Sequence, residues 1–354
     1  MKKVRRISTS AVAVAFIVSL LAVAALAEEK AAGQGSAARG SAGQDSAGPD
    51  SAGPGSAGPG SADQGSADQA SSEQKKWASE LEAWRAKRAA NLQAPEGWLS
   101  LIGLEWLRDG DNSFGSAADN RIQIAAKVPE HIGVVHLEGG ALRLQAPAGG
   151  FPKELLVDGH TAEEQALAAD DAEKLSKFSV GTVTIIVINR DGRFALRIKD
   201  TQAATRLGFH GLKWYPPNAA YRVRAKWIPY SPPKTLDIPT VLGTTTHMPA
   251  PGAAEFTIDG RTVHLEPVLE DPKATELFFI LRDATSKTTT YGAGRFLDAD
   301  LPDHGVDKPG ELILDFNRLY NPPCSFTPYA TCPLPPPQNR LSVAIPAGEQ
   351  RYHD

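Results

Sequence analysis

The segment that most constrains this chain is VTIIVINRDGRFALRIKD, Val183 to Asp200. Its apolar residues alternate at period two, which a β-strand sorts onto one face. Asp191-Gly192 is a two-residue turn that accepts positive φ and so fixes the pairing of the two halves. It sets Arg190 opposite Arg193, Asn189 opposite Phe194, Val187 opposite Leu196 and Ile185 opposite Ile198. On the other face Ile186 meets Arg197 and Ile188 meets Ala195. Arg197 is therefore an arginine on a mainly apolar face, which calls for a partner. An ion pair with Asp200 or Asp191 is one reading and an anion-binding guanidinium is the other.

The rest of the chain repeats this pattern in shorter pieces. Pro95 to Asp354 consists of alternating runs separated by Gly, Pro and Asp turns, with few helical patterns. An all-β fold follows, of two packed sandwich-like or barrel-like lobes with one N-terminal amphipathic helix. The first lobe spans 94–211 and the second 212–354. AEFTIDGRTVHLEPV turns at Asp259-Gly260 and sets Phe256 and Ile258 across from Val263 and Leu265. ELFFILRDA, TTTYGAGRFLDAD, ELILDFNRLY and RLSVAIPAGEQ read as further strands.

Three segments precede the lobes. Residues 1–27 place Lys2, Lys3, Arg5 and Arg6 before an apolar run ending Ala25-Leu26-Ala27, the layout of a secretory signal peptide cleaved before Glu28. The mature chain is then expected to be secreted or periplasmic, with no membrane span. Removing four basic residues moves the formal charge from −4 to −8, 33 basic against 41 acidic residues, which disfavours nucleic acid as a partner. From Gly35 the five-residue unit GSAGP and its variants repeat without a large apolar side chain. Residues 28–71 are thus expected to be a disordered tether. In 72–93, Trp77, Leu81 and Trp84 recur at helical spacing. Ser71 or Ser72 serves as cap, and Arg85, Lys87 and Arg88 suit the C-terminal end.

Asn321 to Leu341, NPPCSFTPYATCPLPPPQNRL, holds both cysteines of the chain and seven prolines. Prolines fix φ and remove amide donors, so this is a constrained loop where the strand ELILD runs out. Cys324 and Cys332 read as a disulfide worth about 2.5 kcal/mol of loop entropy. Metal binding would need distant His304 or His353, and a nucleophilic Cys324 lacks a local signature; no metal or cofactor is expected. Arg197, Arg295 and Arg340 suit a carboxylate or phosphate, while Asp315, Asn317, Asn321 and Asn339 suit hydroxyl or amide groups. The alternative is that the Asp and Asn residues cap turns and the arginines tie the loop to the sheet.

Two resemblances add to this reading. FGSAADNRIQIAAKVPEHIGVVHLEGGALRLQA, LLVDGH and SVGTVTIIVI resemble the forkhead-associated β-sandwich in the order of strands and turns. Where that family binds phosphothreonine, this chain has Ser116, Pro129, Glu130-His131 and Asp158-Gly159, so the resemblance implies the scaffold without phosphopeptide binding. DLPDHGVDKPGELILDFNRLYNPPCSFTPYATCPLPPPQNRLSVAIPAGEQ, with TTYGAGRFL and the RIKD hairpin, resembles a bacterial family catalogued as domain of unknown function 1684. That resemblance spans most of Trp98 to Gln350. It places Arg295, Asp315, Asn317, Asn321, Cys324, Cys332, Asn339 and Arg340 at motif positions and implies no reaction.

The expected function is an exported binding module for a small polar, anionic or carbohydrate-like ligand beside the proline-cysteine loop. Two alternatives stand. One is an envelope hydrolase of carbohydrate or ester with Asp315 as general base. The other is an interaction protein docking a partner through the tether and helix. The sequence contains no GxSxG, HExxH, phosphate loop or dinucleotide fingerprint.

Overall fold

The hairpin forms in the register that its turn dictates, from Arg190 opposite Arg193 to Val183 opposite Asp200. Asp191 and Gly192 take φ of 54° and 78°, the left-handed pair that matches strand twist. The structure, a computed structural model, describes residues 62–271 and 273–353, with side chains from residue 72. The expected signal peptide and residues 28–61 of the expected tether lie outside the described residues.

The fold is all-β: seventeen strands in four sheets, with one helix longer than two turns among the described residues. A six-stranded sheet runs Leu101–Trp106, Arg193–Asp200, Val183–Arg190, Lys177–Val180, Leu156–Val157, His160–Thr161 in spatial order. A five-stranded sheet is built around Gly110–Gly115, Gly133–Glu138 and Ala141–Gln145. Val183, Ile185, Val187, Leu196 and Ile198 of the first share one core with Phe114, Val135, Leu142 and Leu144 of the second. Each such side chain contributes roughly 1.5–3 kcal/mol when fully buried. Ser116 and His131 sit at one end of this sandwich in local cross-links: Ser116 Oγ donates to the Val128 carbonyl at 2.9 Å, and His131 Nδ1 lies 3.3 Å from Asn120 Oδ1.

The second half centres on the strands Arg222–Pro239 and Thr245–Ile258. Their register breaks between Pro229 and Lys234, where Pro232 and Pro233 cannot donate to a ladder. On one side of the break Trp227, Ala254 and Phe256 pack with Leu277, Phe279 and Leu297 of the Glu276–Leu281 and Arg295–Asp300 hairpin. On the other side Leu236, Ile238 and Met248 pack with Phe278, Ile280 and Phe296, on the opposite face of that hairpin, and with Cys332. The bent pair thus serves two cores.

Two local expectations change. The helix runs from Ala62 to Gln93, starting ten residues before the spacing predicts. Ser71 and Ser72 are therefore interior, since residues 62–70 contain no proline and the single Gly65 weakens a helix without ending it. Arg85 and Arg88 lie a turn or more before the end and face the body. Arg85 donates to the Tyr215 carbonyl at 3.1 Å, and Arg88 to the Asn321 carbonyl at 2.7 Å and Glu349 at 3.2 Å. Trp77 Nε1 donates to Asp315 Oδ2 at 2.7 Å. No helix among the described residues is long and apolar enough to cross a membrane.

The second change is at the C-terminus: RLSVAIPAGEQ is extended but forms no strand. Val343, Ile345 and Ala347 alternate inward, yet in place of a continuous ladder the segment has scattered backbone bonds, such as the Ala284 amide to the Val343 carbonyl, and side-chain partners. Arg295 donates to the carbonyls of Ile345 at 2.9 Å, Glu349 at 3.3 Å and Ala347, and Asp283 Oδ2 accepts the Ile345 amide at 2.7 Å. Alternation reports which face is buried; it cannot report what supplies the backbone partners.

Candidate functional site

The hairpin has two unlike faces. Ile185, Val187, Leu196 and Ile198 point into the sandwich core, while Arg190, Arg197 and Lys199 lie on the other face, where Arg190 and Arg197 meet the proline-cysteine loop. Arg197 is 7% exposed. Its guanidinium stands 5.3 Å from the Trp98 ring and donates from Nη2 to Thr331 Oγ1 at 3.3 Å, and its Nε has no partner. Neither Asp200 nor Asp191 pairs with it: Asp200 accepts the Gln202 amide at 2.8 Å, and Asp191 forms the turn. Asp170, the carboxylate that acts on it through space, is gripped by Arg190 through two bonds of 2.9 and 2.8 Å. Arg190 Nε reaches the same Thr331 hydroxyl at 3.3 Å.

Lys199 adds a third cation. Its Nζ lies 5.9 Å from the Trp98 ring and donates to the Glu96 carbonyl at 2.5 Å, while the Glu96 carboxylate pairs with Lys177. Burial, and then the neighbouring Arg197, push Lys199 down to about 8. Arg197 is pushed down to about 10, by burial first and Arg190 second. Taking a guanidinium out of water without a counter-charge carries a penalty of several kcal/mol.

The loop that covers this face begins after the strand Gly310–Asp315 and advances by single 3₁₀ turns at Phe316–Arg318, Pro323–Ser325 and Pro337–Asn339. Two of these turns start on proline, whose missing amide is no loss there. Elsewhere the lost donors are replaced by carboxamides. Asn339 accepts the Glu266 amide at 2.9 Å and donates to the carbonyls of Glu266 and Ile280. Asn321 Nδ2 donates to Glu349 at 2.8 Å and the Gln350 carbonyl at 2.7 Å. Asn317 bonds both the amide and the carbonyl of Asn218 at 2.9 Å and donates to Asp315.

The motif residues are thus distributed along the loop rather than gathered into one cavity. Arg295 and Asn321 meet at Glu349; Asp315 and Asn317 meet under Trp77; Asn339 joins two strand edges; and Arg340 donates to the Pro335 carbonyl at 3.0 Å. Of the seven, Arg197 lies beside two further cations, Arg190 and Lys199, and has no ion pair of its own. Cys324 and Cys332 are adjacent free thiols, the Cys324 amide donating to Cys332 Sγ at 3.2 Å. The hydrogen bond from Cys332 holds the Cys324 thiol below its usual range, and burial pushes Cys332 well up. No three His, Cys, Asp or Glu among the described residues are arranged to hold a metal, and His304 rests on the Pro309 carbonyl.

The residues that sequence reading missed are Trp98, Asp170, Arg190, Lys199 and Thr331. Arg190 and Lys199 were within reach, because they share the period-two face of Arg197. Nothing local marks Asp170 or Trp98, which arrive from other parts of the chain.

A separate acidic pair sits beside the Arg295–Asp300 strand. Burial and then Asp298 push Glu270 up to about 7. Asp298 keeps an open rim to solvent, yet the chain packed around its carboxyl lifts it to about 6 against the opposing hydrogen bond from Tyr320, 2.9 Å away. Both carboxyls hold protons more tightly folded than unfolded. Their contribution to stability is complete below about pH 4 and is lost as pH rises through 6 to 7. Urea midpoints should therefore fall between pH 5 and pH 8. Glu270→Gln should flatten that fall and gain about 1–2 kcal/mol at pH 8, after allowance for solvent screening of this half-buried group.

Comparison with known proteins supplies the family. Residues 207–350 match the family described as "Protein of unknown function (DUF1684)", and the chain belongs to it. The match begins at Leu207, so the Val183–Asp200 hairpin lies outside it. An uncharacterized protein from gene locus rrnAC0354 of Haloarcula marismortui, solved by solution NMR, is 30% identical over 41% of this chain and 79% of that chain, with a TM-score of 0.36. No curated protein matches.

Proposed function

We propose that this protein is an exported binding module for a small anion, a carboxylate or phosphate monoester, held at Arg197 between the hairpin and the proline-cysteine loop. One observation carries the reading: Arg197 is buried with an unpartnered Nε and no carboxylate of its own. Arg190, locked by Asp170, and Lys199 add positive potential at fixed positions, so little ordering is needed on binding. The Trp98 ring gives the ligand body an apolar face, and sugar acids and sugar phosphates combine such a body with an anionic group. Trp98 and Lys199 beside it are half-buried. The leader would place this site outside the cytoplasm, where Cys324 and Cys332 would close into a disulfide that holds Thr331 against both arginines.

The test is titration of the whole protein with inorganic phosphate, acetate, glucuronate and glucose 6-phosphate at low ionic strength, read by calorimetry and tryptophan fluorescence. Saturable binding of at least one probe, weakened by added salt and by Arg197→Met, supports the proposal. If every probe fails to saturate at tens of millimolar, or binds the variant equally well, the reading fails.

A further inference from the structure

Lys199 belongs to the cationic face of the hairpin, two residues along the strand from Arg197 and on the same side. Its backbone is paired to Thr184 on one side and Leu101 on the other, so the side chain rises from the interior of the six-stranded sheet. Nζ stands 5.9 Å from the Trp98 ring, and the Arg197 guanidinium stands 5.3 Å from the same ring. Arg197 is 7% exposed, whereas Lys199 is half-buried and borders the Lys177–Glu96 pair, whose side chains are 38% and 42% exposed. The amine is thus open to solvent on the side of that pair.

The groups around Lys199 decide its protonation. Arg197 and Lys177 oppose a proton on Nζ, and Glu96 favours one. The Glu96 carboxylate is paired with Lys177, however, and Nζ bonds the neutral Glu96 carbonyl instead. Burial is the largest influence, and together with the two cations it holds the ammonium down to about 8. At neutral pH the share of free amine is then about 300 times that of an ordinary lysine, partly offset by the weaker nucleophilicity of a less basic nitrogen. Desolvation and a neighbouring cation are the means by which a lysine becomes a nucleophile toward carbonyl compounds.

We infer that Lys199 is a nucleophilic amine that captures small aldehydes and 2-oxo acids bearing a carboxylate or phosphate, forming imines, with Arg197 and Arg190 supplying the field that favours the anionic group. In its choice of an anionic carbonyl compound this rests on the anion reading of Arg197; the amine chemistry stands apart from it. The open-chain forms of sugar acids and sugar phosphates belong to this class, and Trp98 gives their carbon body a face. The Nζ lone pair forms the C–N bond while the carbonyl π pair moves to oxygen. Both amine hydrogens leave with that oxygen as water, and a C=N bond remains. No oxidant, reductant or metal enters, and hydrolysis reverses the step.

Succinic semialdehyde and butyraldehyde present the same reacting carbon with and without a carboxylate. Each is incubated with the whole protein near neutral pH in cyanoborohydride, which reduces the imine to a stable secondary amine, and the modified lysines are read by peptide mass mapping. Exposed Lys226 is the internal reference. Lys199 is expected to take up succinic semialdehyde about tenfold faster than Lys226 does, and to prefer it over butyraldehyde by a larger factor. Glu96→Gln removes the charge that favours the ammonium and leaves Lys177 unpaired beside it, so labelling of Lys199 speeds up. Arg197→Met slows labelling with both aldehydes and removes the preference for the anionic one. A lysine that only ties the strand to the Glu96 carbonyl keeps its proton and shows none of this. Labelling of Lys199 no faster than Lys226 by either aldehyde, or equal rates in Glu96→Gln and wild type, would overturn the proposal; the phosphate and acetate titrations above decide the Arg197 reading without it. Fast labelling of Lys199 with no greater preference for the anionic aldehyde than Lys226 has would overturn the assignment to anionic substrates and leave the amine chemistry in place. The comparisons within the wild type hold whether or not a variant folds.

Discussion

Arg197→Met is expected to raise the thermal midpoint of the ligand-free protein by a few degrees and to abolish its stabilisation by anions. Arg197 is 7% exposed, lacks a carboxylate, and has a single hydrogen bond of 3.3 Å to a neutral hydroxyl. Replacing a buried ion with an apolar side chain of similar length is neutral or stabilising by about 1–4 kcal/mol in comparable cases. For a folded body of this size each kcal/mol moves the midpoint by about 2–4 °C. A bound anion stabilises only the native state, so added ligand should raise the wild-type midpoint and leave the variant unmoved. Arg197→Lys retains the charge but loses the planar fork, and should bind more weakly than wild type. A marked drop in the midpoint of Arg197→Met without ligand would make Arg197 a structural tie between hairpin and loop, and the functional reading would fall.

The second large effect is at Asp283. Asp283→Ala should destabilise the protein by about 3–5 kcal/mol, because it leaves the Arg295 guanidinium buried and uncompensated. Arg295 is 2% exposed and its Nη2 lies 3.2 Å from Asp283 Oδ2. The same carboxylate accepts the Ile345 amide, so its loss also releases the C-terminal segment. Adding Arg295→Met to Asp283→Ala should recover much of the loss, since the stranded charge is removed. Urea denaturation of the two variants measures both effects. If Asp283→Ala has wild-type stability, the pair does not hold the C-terminal segment, and Arg295 returns as a candidate ligand residue.

These two arginines show how far the sequence reaches. Arg197 stood out as an arginine on an apolar face and Arg295 as a candidate anion ligand, and both belong to strands. Arg295 is matched by Asp283 and three carbonyls, and Arg197 faces Thr331 and Trp98 with no ion pair of its own. Asp283 lies 12 residues from Arg295 and the carbonyls 50 to 54, while Thr331 lies 134 residues from Arg197, too far for spacing to distinguish the cases. The asparagines of the loop follow the same rule. Their types announced hydrogen bonding, and only the packed chain showed Asn339 joining Glu266 to Ile280 and Asn321 holding the Gln350 carbonyl.

The sequence alone determined the all-β class, the register of the Val183–Asp200 hairpin and the irregular path of the proline-rich loop, because each depends on neighbours a few residues apart. Alternation chooses the buried face, Asp-Gly chooses the turn, and proline deletes the donor. The tertiary structure decided the extent of the N-terminal helix, the scattered backbone and side-chain partners of the segment Ile345 to Glu349, and which arginine lacks an ion pair of its own. Those outcomes depend on desolvation and on hydrogen bonds between segments distant in sequence, and neither has a value until the chain has closed around the group concerned.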